Sequence, residues 1–155
     1  MRLTRQTNYA IRLMMYCAAN PDGLSRVADV AKAYGVSELF LFKILQTLVE
    51  NRLVETVRGR NGGVRLARPP ETITLFDIVT VTEDSFAMAD CFEKEASDCP
   101  LIDACSLSAA LRRALGAFFE VLEEYSIADL VAAKADINAL LGLPPQPERA
   151  VSPAA

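Results

Sequence analysis

Cys91, Cys99 and Cys105 lie within fifteen residues of one another, separated by seven and then five residues. A free cysteine usually behaves as a small buried apolar side chain. These three instead fall in an acidic stretch, residues 82–105, with seven carboxylates and only Lys94 as a base. Cysteine thiolates are the usual ligands of iron-sulfur clusters, and three would hold a cubane cluster by three irons, leaving the fourth iron to another donor. Three other readings stay open on the residues alone: a zinc site completed by a carboxylate, a thiol switch that oxidises to a disulfide, or three inert cysteines. The spacing matches neither the tight pairs of a zinc ribbon nor the run of an ordinary ferredoxin. Pro100, directly after Cys99, fixes the local backbone.

The chain has no histidine. Ser-His-Asp and Cys-His nucleophile pairs and His-ligated zinc are therefore excluded, and most enzyme readings lose their base. A cluster enzyme would need polar groups converging on an open iron, and a chain of 155 residues without His offers few. An electron-transfer protein using a cluster as a relay is the alternative from another class. Cys17 differs from the other cysteines: it shares an apolar helical stripe with Tyr9 and Leu13 and reads as a core thiol.

The elements that must position these residues begin with charge. Residues 1–80 hold 11 of the 16 Lys and Arg against seven acids, and residues 81–155 hold five against 13, so a net charge of -4 conceals a basic half followed by an acidic one. Such asymmetry suggests that the first half faces a polyanion. With 52% hydrophobic residues the chain can bury a core of one domain's size. Arg2 and Arg5 before an apolar stretch imitate a secretory leader, but Arg12 interrupts it and the apolar positions recur at helical spacing. No run approaches the roughly 18 apolar residues of a membrane span. A cytoplasmic protein with reduced or metal-bound thiols is expected.

A mainly α fold with a small β-hairpin is predicted. After the opening helix, Asn20-Pro21-Asp22-Gly23 forms a turn and Ser25 stands where an N-cap would. Val27, Val30, Ala31 and Tyr34 define a short second helix that Gly35 ends. Ser37 then caps a third helix with the stripe Leu41, Ile44, Leu45 and Leu48. Its other face carries Glu38, Leu39, Lys43, Gln46 and Thr47, with Ser37 and Phe40 at the N-terminal end. In a helix-turn-helix the second helix enters the major groove N-terminus first, which makes Ser37, Leu39, Phe40 and Lys43 the candidate readers of DNA. Residues 53–58 and 64–67 read as strands joined by Gly59-Arg60-Asn61-Gly62-Gly63. Arg58, Arg60 and Arg65 flank a tip whose glycines leave room for a phosphate backbone or minor groove. An ordinary helical hairpin explains the helices alone; helix-turn-helix followed by an Arg and Gly hairpin describes a winged helix.

Four regions follow: a winged helix-turn-helix DNA-binding domain at 1–80, a cysteine-containing cluster-binding loop at 81–106, a dimerisation helix and C-terminal helices at 107–143, and a disordered tail at 144–155. Thr74 caps a short helix through Val81. Leu107, Leu111, Leu115, Phe118 and Leu122 repeat at three and four residue intervals on a long helix capped near Ser106, a stripe long enough for a two-fold seam. Major-groove readers usually bind as dimers. Ser126-Ile127-Ala128-Asp129 reads as a capping box.

Met1-Arg2-Leu3-Thr4 with Tyr9-Ala10, the turn Tyr34-Gly35-Val36-Ser37, the wing Val57-Arg58-Gly59-Arg60-Asn61-Gly62-Gly63 and the three cysteines in an acidic loop resemble the winged-helix iron-sulfur repressors that include IscR and NsrR. The likeness runs from Met1 to about Leu143. Ser37-Glu38-Leu39-Phe40-Leu41-Phe42-Lys43-Ile44-Leu45-Gln46, Glu83-Asp84-Ser85-Phe86-Ala87-Met88-Ala89 and Asp98-Cys99-Pro100-Leu101 are similar to the rhizobial iron regulators of that family. The resemblance implies a homodimeric, iron-responsive repressor of iron-uptake and iron-homeostasis genes, binding double-stranded operator DNA through Arg58, Arg60 and the third helix. It also implies a 4Fe-4S cluster held by Cys91, Cys99 and Cys105. A nitric oxide or redox signal in place of iron is the alternative within the family. IscR-like members offer a histidine near the loop and some NsrR-like members an aspartate at the position of Asn8. This chain has neither, so the fourth ligand is left to Asp90 or Glu93, to Asn8 of a partner subunit, or to a small exogenous ligand.

Overall fold

The computed structural model describes residues 2–21, 23–60, 62–89, 92, 105–132 and 136–144. Helix α1 (Arg5–Ala19) starts at Thr4, whose hydroxyl accepts the Thr7 amide hydrogen, and buries Ala10, Leu13, Met14, Tyr16 and Cys17 along one face. The interruption at Arg12 is thus the polar side of an amphipathic core helix. Helix α2 (Val27–Tyr34) ends at Gly35, whose φ of 64° lies in the left-handed region that glycine enters without a steric penalty. Helix α3 (Glu38–Glu50) is capped by Ser37, and Leu41, Ile44, Leu45 and Leu48 are all buried, as their spacing predicts. Fully burying a side chain of this size contributes about 1.5–3 kcal/mol.

Ser25 does not cap α2. The N-cap position is Arg26, with no side-chain cap bond, while Ser25 is buried and pairs with Val64 in an isolated antiparallel bridge. The amide of each donates to the carbonyl of the other at 2.9 Å. A pair of ladder bonds satisfies more backbone than a hydroxyl cap does, and it ties the hairpin to the entrance of α2. The hairpin consists of β1 (Val54–Val57) and β2 (Gly63–Leu66), antiparallel, with Val54 opposite Leu66 and Val57 opposite Gly63.

A single 3-10 turn (Pro70–Thr72) leads to α4 (Leu75–Thr82), which opens with a reciprocal capping box between Thr74 and Asp77. Helix α5 (Ser106–Glu124) follows, then α6 (Ile127–Ala132) and α7 (Ile137–Leu140). The cap of α5, expected near Ser106, is Cys105. The Ser126–Asp129 box forms as predicted, Asp129 accepting from the Ser126 amide at 2.8 Å.

The C-terminal helices return to the first. Ile127 lies in the same core cluster as Leu13, Met14 and Ile44, and its amide donates to the Ile73 carbonyl at 2.8 Å. Asn138 donates its side-chain amide to the carbonyl of Ala19. Among the described residues no helix is long and apolar enough to cross a membrane.

Candidate functional site

Helix α3 and the hairpin present a common outer surface. Ser37, Leu39 and Lys43 are exposed at or near the N-terminal end of α3. The Ser37 hydroxyl accepts the Phe40 amide hydrogen at 3.3 Å. Phe40 itself is half-buried: its ring meets Tyr9 edge-on with centroids 5.5 Å apart, and the Arg5 guanidinium lies 5.1 Å from its centroid. This aromatic and cationic contact fixes the start of α3 against α1. Phe42, which the sequence reading left out, is exposed beside Leu39. It was missed because an aromatic one residue from a core leucine is easily assigned to the core, and only the helix orientation settles which way it faces.

The hairpin cations divide into two kinds. Arg65 is ion-paired with Glu55 directly across the ladder, and Arg68 with Asp77 at 3.0 Å. Arg58 and Arg60 are exposed and take part in neither of these pairs among the described residues. The glycines at the tip have an internal reason to be there. A Cβ on Gly62 would sit 2.2 Å from the Val57 carbonyl oxygen, and one on Gly63 would sit 2.8 Å from that of Ser25. Asn61 lies outside the described residues.

Cys91, Cys99, Asp90 and Glu93 also lie outside the described residues, and with them most of the expected acidic loop. Cys105 is described. Its half-buried side chain is the N-cap of α5, and Sγ accepts the Ser108 amide hydrogen at 3.4 Å. Cys105 thus stands at the positive end of the dipole of a 19-residue helix. Among the described residues no group of three or more potential metal ligands comes together. Asn8 is exposed on α1. Cys17 is a core thiol, as its place on the stripe predicts. Its Sγ is 3.9 Å from the Val64 carbonyl, and burial pushes its pKa up to about 12.

Helix α5 packs against α4 through Phe119, whose ring meets Phe76 and Phe86 edge-on with centroids 5.4 and 4.9 Å apart. Of the predicted stripe, Leu122 is buried, Leu111, Leu115 and Phe118 are half-buried, and Leu107 is exposed, as are Val121 and Tyr125.

The profile of the Rrf2 family, described as iron-dependent transcriptional regulators, matches residues 3–133. The chain belongs to the Rrf2 family. A Rhizobium meliloti (strain 1021) protein named aau3 is 70% identical over 143 residues, covering 92% of this chain and 93% of that one. The HTH-type transcriptional regulator NsrR of Shouchella clausii (strain KSM-K16) is 43% identical over 142 residues, covering 91% and 95%. T. potens IscR shares the fold at a TM-score of 0.70 and 24% identity, covering 86% of this chain and 88% of its own. This Rrf2 protein is accordingly a DNA-binding transcriptional regulator with a winged-helix fold, and its relatives are regulators, not enzymes.

Proposed function

We propose that this Rrf2 protein is an iron-responsive repressor of iron-uptake and iron-homeostasis genes in the cytoplasm, equivalent to the rhizobial iron regulator RirA. Operator DNA is its partner, held by Ser37, Leu39, Phe40, Lys43, Arg58 and Arg60. Cys91, Cys99 and Cys105 hold an iron-sulfur cluster, 4Fe-4S in type, with Asn8 of a second subunit, Asp90 or Glu93 as candidates for the remaining position. The observation that carries the metal-binding part is Cys105: unlike the sealed Cys17, it is half-buried at a helix N-terminus that offers an amide hydrogen to its sulfur. The donor set of thiolates without imidazole suits iron-sulfur chemistry better than a His-containing zinc site. When bound, the cluster supplies a reversible, iron-dependent tether between the loop and α5.

The chain's own residues convert that tether into DNA affinity. The Thr4 amide donates to the Glu83 carboxylate at 2.7 Å, so the entrance of the acidic segment touches the start of α1. Through Phe40 and Tyr9, α1 in turn braces α3. A homodimer formed along α5, where Leu107 and Val121 stand exposed, sets the spacing of two reading helices. A coupling free energy of about 1–3 kcal/mol between loop and DNA surface corresponds to a 5–150-fold change in affinity.

A nitric oxide or redox signal is the second reading, favoured by the similarity to NsrR regulators. Absorption and Mössbauer spectra of anaerobically isolated protein, paired with promoter titrations before and after iron chelation, test the proposal. Iron-loaded protein that binds promoter DNA and releases it on chelation is expected. Colourless, iron-poor protein, or affinity indifferent to iron, refutes it, and a cluster without selective DNA binding points to electron transfer.

A further inference from the structure

The outward face of α3 carries two large apolar side chains among the polar ones, Glu38, Lys43 and Gln46. Leu39 is 81% exposed and Phe42, one turn later, is 53% exposed, while four neighbouring apolar residues of the same helix are sealed in the core. Leaving two large hydrophobic side chains in water gains nothing for the isolated fold. They border a shallow concavity of about 500 Å3 that also includes Ser37, Phe40, Lys43 and Gln46. Phe42 additionally edges the groove of about 640 Å3 between α3 and the hairpin, placing its ring at the seam of the two elements that carry Lys43, Arg58 and Arg60.

An apolar centre beside Lys43, with Arg26, Glu38 and Glu50 on the adjoining groove and continuous with a helix-turn-helix reading surface, fits the mixed edge of a duplex groove better than a protein helix. In the major groove the apolar group that a base pair offers is the 5-methyl of thymine. We propose that Leu39 and Phe42 read thymine methyl groups, so that each operator half-site carries thymine opposite the first two turns of α3. The inference rests on the DNA-binding reading and extends it to the chemistry of the operator. Phe40, held against Tyr9 and Arg5, shapes the floor of this surface, and Lys43 supplies the neighbouring positive charge.

The test uses full-length protein prepared anaerobically and the duplexes it enriches from a randomised pool. Each half-site thymine is replaced by deoxyuridine, which removes one methyl and leaves the hydrogen-bonding edges unchanged. One buried methyl is worth ~0.8 kcal/mol, so the expected loss is about fourfold at each contacted thymine. A Leu39→Ala, Phe42→Ala double variant, checked for native helicity, is expected to bind thymine and deoxyuridine duplexes equally. Sequence-selective binding by the intact protein that ignores every deoxyuridine replacement overturns this inference and leaves the DNA-binding reading standing. Failure to enrich any duplex overturns both. A double variant that keeps its deoxyuridine sensitivity but changes its mass in solution assigns the face to protein contacts and overturns the inference too.

Discussion

The backbone amide of Thr4 donates to Oε1 of Glu83 at 2.7 Å, joining two residues 79 positions apart in the chain. The first is the N-cap of the helix that braces α3, and the second follows α4 at the entrance to the cysteine segment. The bond therefore links the start of α1 to the residue that follows α4 at the surface, outside the core.

Glu83→Ala removes this acceptor. Unfolding in urea is expected to show a loss of about 1 kcal/mol, the usual net worth of one hydrogen bond, with a smaller loss for Glu83→Gln, which retains a carbonyl. Equal losses for the two variants count against the bond.

At the wing, Gly62→Ala is expected to cost about 1–3 kcal/mol, because the added Cβ meets the Val57 carbonyl at 2.2 Å and the tip must open. Thermal unfolding measures the cost, and DNA affinity is expected to fall with it. A variant as stable as the parent refutes a clash between that Cβ and the Val57 carbonyl.

The two classes of hairpin arginine separate by salt. If Arg60 meets a phosphate, Arg60→Gln flattens the plot of log affinity against log salt by about 0.9. Arg65→Gln is expected to leave the slope unchanged, since Arg65 is already paired with Glu55. Identical slopes for the two variants contradict the division.

Thiol labelling at pH 8 in cluster-free protein is expected to mark Cys105 quickly and Cys17 only on unfolding. A pKa raised from 9.0 to about 12 by burial lowers the thiolate fraction roughly a thousandfold, before any steric protection is counted. The sign carries over to stability: the unfolded chain ionises this thiol above about pH 9 while the folded chain keeps its proton, so stability falls as pH rises from 9 towards 12. Cys17→Ala is expected to lessen that alkaline loss.

Cys105 combines two roles that substitution can part. Cys105→Ser keeps a side-chain acceptor for the Ser108 amide, whereas Cys105→Ala loses it at a cost of about 0.5–2 kcal/mol. Both variants are expected to lose iron-sulfur absorbance under anaerobic purification. Full cluster content in either one removes Cys105 from the ligand set.

What the sequence determined by itself was local. The stripe of α3, the Ser37 and Thr74 caps, the Gly35 stop, the Ser126 box and the hairpin follow from spacing and turn chemistry within a few residues, and all are present. Even the core assignment of Cys17 follows from helical period. The tertiary structure decided what depends on distant partners. Ser25 became a strand partner of Val64 because burial favours paired backbone over a cap, and Arg65 was neutralised while Arg58 and Arg60 take part in neither ion pair of the described residues. Phe40 turned towards Tyr9 and Phe42 turned outward, though both are phenylalanines two positions apart. Ile127 joined the core of α1 across more than a hundred residues. Periodicity says which face of a helix is apolar, but which neighbour covers that face is set by the packing of the whole chain.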